Sequence, residues 1–297
     1  MKKISVTIFF LLLLTTVMNR NYGFSSPGDA DKIMPIVTTS WLKENLTQPG
    51  LVVLHVAAAK LDYDNGHIPD AGFLWPGYVT ISTENESTVP APTADIVKLL
   101  RSLGVNNDSH IVLCGIYGNI VPVCRVFVTL EHVGLKGRVS ILDGGFDAWK
   151  AAGYMVSTQK PAVKKGKFTA SVIDNLVNSA WLLGNLDNKS FSIIDARPKA
   201  SYDGTTGLSR AGHIKGAKNI PPPELYDSKT FQFFDVPKLT EAFKKLDIGG
   251  SRPVFYCHSG NSASVAYVAA IVAGYDPVVY DGSMEEWGSR PDFPMEK

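Results

Sequence analysis

Three landmarks recur in the chain at nearly constant spacing, and they constrain the fold more than any other feature. Trp41 in "TTSWLKENL" is answered by Trp181 in "VNSAWLLGNL", 140 residues on. His67 in "GHIPDAG" is answered by His213 in "GHIKGAK", 146 residues on. Trp149 in "ILDGGFDAWKAAGY" is answered by Trp287 in "VVYDGSMEEWGSRP", 138 residues on. Periods of this size mean two copies of a domain, because solenoid repeats run only about 20–50 residues. A chain of 297 residues is long enough for two domains with sizeable cores. The polar stretch "STQKPAVKKGKFTAS" reads as the join, since Pro161, Gly166 and a run of lysines oppose a packed element. The expected segments are a first domain over 35–157, a linker over 158–168 and a second domain over 169–297. Lys160, Lys164, Lys165 and Lys167 are expected to face solvent.

Within each copy, short apolar runs alternate with helical spacing. In the second, "FSIIDAR" and "RPVFYC" read as buried parallel strands. "GAKNIPP" reads as a short strand and "PVVYDG" as a last one. "DVPKLTEAFKKLDI" places Val236, Leu239, Phe243 and Leu246 at helical intervals, and "SASVAYVAAIVAGY" reads as a helix ended by Gly274. The alternation predicts an α/β fold, with a mainly parallel sheet and helices on both faces of each copy. In such sheets ligands sit beyond the carboxyl ends of the strands, which is where Cys257 falls.

A net charge of +1 supplies no basic field for nucleic acid and no acidic one for a cationic partner. The start, "MKK" then "ISVTIFFLLLLTTVM", reads as an export signal over about residues 1–26, cleaved between Tyr22 and Ala30. The apolar run falls short of the roughly 20 residues a membrane span needs. The expectation is an exported protein, periplasmic or extracellular, without stable membrane insertion once the signal is cut. In an oxidising compartment the three cysteines leave one over. Cys114 and Cys124 either pair or lie buried as free thiols, and Cys257 stands apart from them.

The loop "CHSGNSAS" carries the chemistry. A strand delivers Cys257, Gly260 permits a positive φ or a close approach, and Ser262 or Ser264 can cap the next helix. The N–H groups of His258, Ser259, Gly260, Asn261, Ser262 and Ala263 can then converge as an anion cradle around the sulfur. Such surroundings are expected to favour thiolate, with cysteine pKa values of about 3.5–7.5 at comparable sites. Phosphate-ester hydrolysis by this kind of loop needs an arginine six residues after the cysteine to clamp the phosphoryl oxygens. Here that residue is Ala263, so sulfur chemistry is the better fit.

On "GHIPDAG", "GHIKGA", "DGGFDAWKAAGY", "CHSGNSA" and the ending "YDGSMEEWGSRPDFPME", the chain resembles the tandem-domain rhodanese family of thiosulfate and 3-mercaptopyruvate sulfurtransferases. The resemblance covers nearly all of the mature chain. It implies a doubly wound sheet in each half, and catalysis in the second domain with the first an inactive copy. It implies a Cys257 persulfide loaded from thiosulfate, 3-mercaptopyruvate or a polysulfide and unloaded to cyanide or a thiol. No metal and no organic cofactor is implied. Ser259 matches the pattern of the mercaptopyruvate enzymes, and the resemblance offers His67 as its auxiliary partner. Asp195 and Arg197 look like the family's structural ion pair, with Arg197 and Ser201 kept beside His67 as alternative auxiliary residues of the site.

Ser201 stands where the family carries an arginine that binds the donor's anionic group. Lys199, Arg210 and His258 are candidates to supply that charge instead. The departure keeps open a non-catalytic alternative, a sulfur carrier or assembly protein with the same fold. Cys114 ends the run "SHIVLC" and lines up roughly with Cys257, but the longer apolar segment to Pro122 spoils a tight cradle, so a structural role is expected. His213 is expected to satisfy a backbone group. Trp149 and Trp287 are expected to anchor packing, and Asp143 and Asp281 to organise turns.

Overall fold

The computed structural model describes residues 33–84, 86–116, 118–206 and 210–297. The expected signal over 1–26 lies outside these. Among the described residues no helix is long and apolar enough to cross a membrane.

The first half comprises β1 (Ile36–Val37), α1 (Thr39–Asn45), β2 (Leu51–Val56), α2 (Lys60–Asp64), β3 (Gly72–Leu74), α3 (Thr93–Ser102), β4 (His110–Gly115), α4 (Ile120–Leu130), β5 (Val139–Leu142) and α5 (Gly145–Ala151). The second comprises β6 (Leu176–Val177), α6 (Ser179–Asn185), β7 (Phe191–Asp195), α7 (Lys199–Tyr202), β8 (Lys218–Asn219), α8 (Val236–Lys245), β9 (Arg252–Tyr256), α9 (Asn261–Val272), β10 (Val278–Tyr280) and α10 (Ser283–Ser289). The strand orders are β1-β5-β4-β2-β3 and β6-β10-β9-β7-β8, the same order twice. Every neighbouring pair in these two sheets is parallel. The α/β reading therefore holds for both halves. A two-residue antiparallel ribbon, Thr80–Ile81 with Val89–Pro90, carries a strap between its strands in the first half.

Local chemistry explains the elements. Asp235 caps α8 by accepting from Lys238 N at 3.1 Å, and the helix buries Leu239 and Phe243 at the expected spacing. Helices α4 and α9 are predominantly apolar and buried along most of their length, so each needs cover on more than one side. They cover one another, and one hydrophobic cluster runs through both halves across this contact. Few polar groups enter it, and they bond to each other. Tyr267 Oη donates to Glu131 at 2.8 Å, and Asn175 Nδ2 donates to Val128 O at 3.1 Å. Burial pushes the Glu131 carboxyl above its usual range.

The linker lysines are exposed, as expected, but the backbone beneath them is pinned to the first half. Gly166 N donates to Arg101 O at 2.8 Å, Arg101 Nε donates to Phe168 O at 2.8 Å, and Phe168 is fully buried.

All three cysteines are buried free thiols. Cys114 belongs to the cluster on one face of the first sheet and Cys124 to the cluster on the other. The disulfide considered between them is not formed, because the sheet separates them. Trp149 and Trp287 are core residues whose indole nitrogens donate to Met155 O and Pro294 O.

Candidate active site

Cys257 follows β9, which lies inside its sheet between β7 and β10. Residues His258 to Gly260 turn the chain, and α9 starts at Asn261. Gly260 takes φ 79°, a left-handed conformation that costs other residues energy. A Cβ there would also sit 3.2 Å from Arg125 Nη1 and 3.3 Å from Asp281 Oδ1. The conformation favours glycine, and the close approach of Arg125 and Asp281 leaves a side chain little room.

Neither serine caps α9 as expected. Gly260 occupies the cap position with no side-chain bond, and Ser264 Oγ donates back to Gly260 O at 2.8 Å. The first N–H groups of the helix thus stay available, and Ser262 and Ala263 turn theirs on the Cys257 sulfur, as does Ser259. Cys257 is only 3 % exposed. Burial pushes its thiol above the ordinary cysteine value, and the three N–H donors pull it part of the way back. The expected depression of this pKa is therefore corrected. Desolvation of a sulfur closed off from water outweighs three peptide dipoles, so the cradle moderates the cost of the anion without making it the resting form.

The loop is braced from two sides. Cys257 N donates to Ser283 Oγ at 3.2 Å, while Met284 N and Glu285 N donate to Cys257 O and His258 O. From the first half, Arg125 reaches across on α4. It pairs with Asp281 at 2.6 Å and donates to Thr88 O at 3.0 Å, with its side chain 2 % exposed. Asn261 Nδ2 donates to Thr88 Oγ1 at 3.1 Å and lies 3.3 Å from Ser259 Oγ. Ser87, beside it in the strap, donates to Glu285 from N at 2.8 Å and from Oγ at 2.7 Å. The His258 ring is half-exposed, with Nε2 3.8 Å from Glu285.

His67 is not part of this group. It is fully buried, stacks on Tyr63 at 3.9 Å, and places its ring nitrogens 2.9 Å from Tyr63 O and Gln159 O. His213 repeats the arrangement, stacked on Tyr202 at 3.8 Å with Nδ1 2.9 Å from Tyr202 O. The repeated histidines lock a helix to its neighbouring loop, and the auxiliary role considered for His67 has no geometric basis. Arg197 pairs with Asp195 at 2.6 Å and donates to Gly212 O at 2.7 Å, a buried structural pair. Ser201 is half-buried on α7. Of the candidate substitutes for its missing charge, Lys199 pairs with Asp203, and Arg210 donates to Arg290 O and Phe293 O.

The register of the two sheets corrects the alignment of Cys114. His55 pairs with Cys114 in the first sheet as Asp195 pairs with Tyr256 in the second. Cys114 therefore corresponds to Tyr256, and Gly115 corresponds to Cys257. A shift of one residue turns a strand side chain to the opposite face. Cys114 accordingly points into the core, where burial drives its pKa far up. Beyond Gly115, the second half plugs the space. A Cβ on Gly118 would lie 2.0 Å from the Phe231 ring, and Asp143 accepts from Phe233 N and Gln232 Nε2. Asp143 and Asp281 thus serve as anchors between the halves, beyond the turn role expected of them. Arg125 left one legible sign, a lone charge inside "IVPVCRVFVTL". Ser87, Thr88 and Glu285 left none.

Comparison with known proteins agrees with this architecture. The rhodanese-like domain family matches residues 38–152 and again 178–290. The chain is 30 % identical to the 3-mercaptopyruvate sulfurtransferase of Escherichia coli strain K12, over 88 % of this chain and 97 % of that one. It is 29 % identical to the mitochondrial thiosulfate/3-mercaptopyruvate sulfurtransferase 1 of Arabidopsis thaliana, over 93 % of this chain and 80 % of that one. The crystal structure of YnjE superposes with a TM-score of 0.77 at 23 % identity, over 89 % of this chain and 68 % of that one. A fold repeated in the same strand order, matched twice along its length, makes this chain a member of the rhodanese family with two rhodanese-like domains in tandem.

Proposed function

We propose that the protein is a sulfurtransferase, moving a sulfane sulfur from a small donor to a thiophilic acceptor through a persulfide on Cys257. One observation carries the reading: three main-chain N–H groups converge on a single sulfur at the end of an interior parallel strand. That arrangement stabilises negative charge on sulfur and leaves the side chains free of any other duty. With a hydropersulfide R–S–SH, Cys257 bonds to the outer sulfur and the S–S bond between that sulfur and R–S breaks. R–S⁻ departs with the electron pair and takes the thiol proton. With thiosulfate the leaving group is sulfite, and with 3-mercaptopyruvate it is pyruvate, whose carbon takes the thiol proton of the donor. In the second step cyanide or a thiol bonds to the outer sulfur, and Cys257 recovers the electron pair. Both steps place charge where the N–H groups of Ser259, Ser262 and Ala263 point, as covalent catalysis requires.

The test combines turnover and mass. The purified protein is given thiosulfate, 3-mercaptopyruvate or a polysulfide together with cyanide, and thiocyanate is measured. Intact mass after donor alone should show one added sulfur, lost in Cys257→Ser together with turnover. Turnover that survives Cys257→Ser would refute the reading. A second reading, a sulfur carrier without efficient turnover, draws on Ser201 and on the 3 % exposure of Cys257. It requires an added sulfur that cyanide removes only slowly. We further propose that the reaction takes place in the periplasm or outside the cell. Secretion of a chain cut between Tyr22 and Ala30 would support this.

A further inference from the structure

We infer that Glu285, held in place by Ser87 of the first domain, is a specificity-determining residue that selects against doubly negative sulfur donors. The donor class it favours is an uncharged or cationic hydropersulfide or polysulfane. This rests on the reading of Cys257 as the sulfur-bearing residue.

The first turn of α10 lies directly on the sulfur loop through Met284 N to Cys257 O at 3.1 Å and Glu285 N to His258 O at 2.9 Å. The Glu285 carboxylate lies beside this loop, 3.8 Å from Nε2 of His258, the residue that follows Cys257. It is not a freely moving surface charge. Ser87 donates to it from both N and Oγ, and the side chain is 24 % exposed. Further negative groups lie near Glu285. Glu86 precedes Ser87 in the strap, and Glu286 accepts from Tyr280 Oη at 2.8 Å and from Ser179 Oγ. Burial first, and then the charges of Asp281, Glu286 and Glu285, push the Glu86 carboxyl up, which places these groups within electrostatic reach of one another.

The cations that could offset this field are engaged. Arg125 is paired with Asp281, Arg197 with Asp195 and Lys199 with Asp203, and Arg210 donates to backbone carbonyls. His258 faces Glu285 itself. A dianion approaching Cys257 meets a fixed negative group with no free guanidinium or ammonium among these to receive it. Coulomb repulsion between a dianion and one carboxylate at a separation on the order of 7 Å in water would amount to roughly a tenfold rate penalty. An uncharged donor meets no such penalty.

The experiment measures the rate of sulfur addition to Cys257, by mass, from thiosulfate and from an alkyl hydropersulfide, whose protonated, uncharged form is the species that gives up its outer sulfur, at one fixed pH. Wild type, Glu285→Gln and Ser87→Ala are compared across ionic strength. Wild type should load faster from the hydropersulfide. The thiosulfate-to-hydropersulfide rate ratio should rise about tenfold in Glu285→Gln and by less in Ser87→Ala. Added salt should raise the ratio in wild type and move it much less in Glu285→Gln, since screening acts only where the charge is present. The wild-type salt series stands even if a variant folds poorly. A ratio unchanged by substitution and by salt, while both donors still load Cys257, overturns the inference and leaves the sulfurtransferase reading intact. Loading from neither donor in wild type overturns both.

Discussion

Replacing His55 by leucine should make the protein more stable, and increasingly so as the pH falls. His55 lies on β2, fully buried, with neither ring nitrogen hydrogen-bonded. It occupies the place that Asp195 fills in the second sheet, where Arg197 satisfies the carboxylate. In the first half the arginine's position belongs to Ala57, so the polar group lost its partner. Its neighbours are the edges of Tyr63 at 5.6 Å and Phe146 at 5.2 Å. Burial, and then the nearby His67, lower its pKa from 6.5 to about 4. The folded state thus holds the ring neutral while the unfolded chain protonates it from pH 6.5 downward. Stability from this group is complete above pH 6.5 and is lost as the pH falls toward 4. At pH 5 the loss is about 2 kcal/mol, and at pH 7 it is near zero. Leucine, of similar size, should also remove an unsatisfied buried polar group worth about 1–3 kcal/mol at any pH. Urea unfolding of wild type and His55→Leu at pH 7.5, 6 and 5 measures both parts. A stability difference that stays constant over that range would refute the linkage argument, and a less stable variant at pH 7.5 would refute the packing argument.

Because burial raises the Cys257 thiol, its alkylation by iodoacetamide should keep accelerating beyond about pH 8.5, where a free cysteine approaches half-ionisation. A rate that levels off below neutrality would contradict that direction. Arg125→Met should cost about 3 kcal/mol in urea unfolding, because it leaves Asp281 without its partner beside the sulfur loop. Gly118→Ala should destabilise by about 1–3 kcal/mol, since the new methyl group overlaps the Phe231 ring and φ is +64°. Tyr267→Phe removes the hydroxyl that bonds buried Glu131, for an expected cost of about 1–3 kcal/mol read from the same transition.

What the sequence determined by itself was everything that local pattern and repetition carry. The spacing of Trp41 and Trp181, of Trp149 and Trp287, and the alternation of short apolar runs with helical ones specify two α/β copies. The termination of "RPVFYC" before small residues specifies a cysteine at a strand end. What tertiary structure alone decided depends on contacts between residues far apart in the chain. A one-residue register, fixed by strand pairing, puts Gly115 where Cys257 has its counterpart and turns Cys114 into the core. Packing of the folded chain buries Cys257 until desolvation outweighs its N–H donors. The same packing brings Arg125, Ser87 and Thr88 to a loop more than 130 residues away. Periodicity reports which face of an element is apolar. It says nothing of which other element will cover that face, because packing pairs surfaces by shape and charge only once the chain has folded.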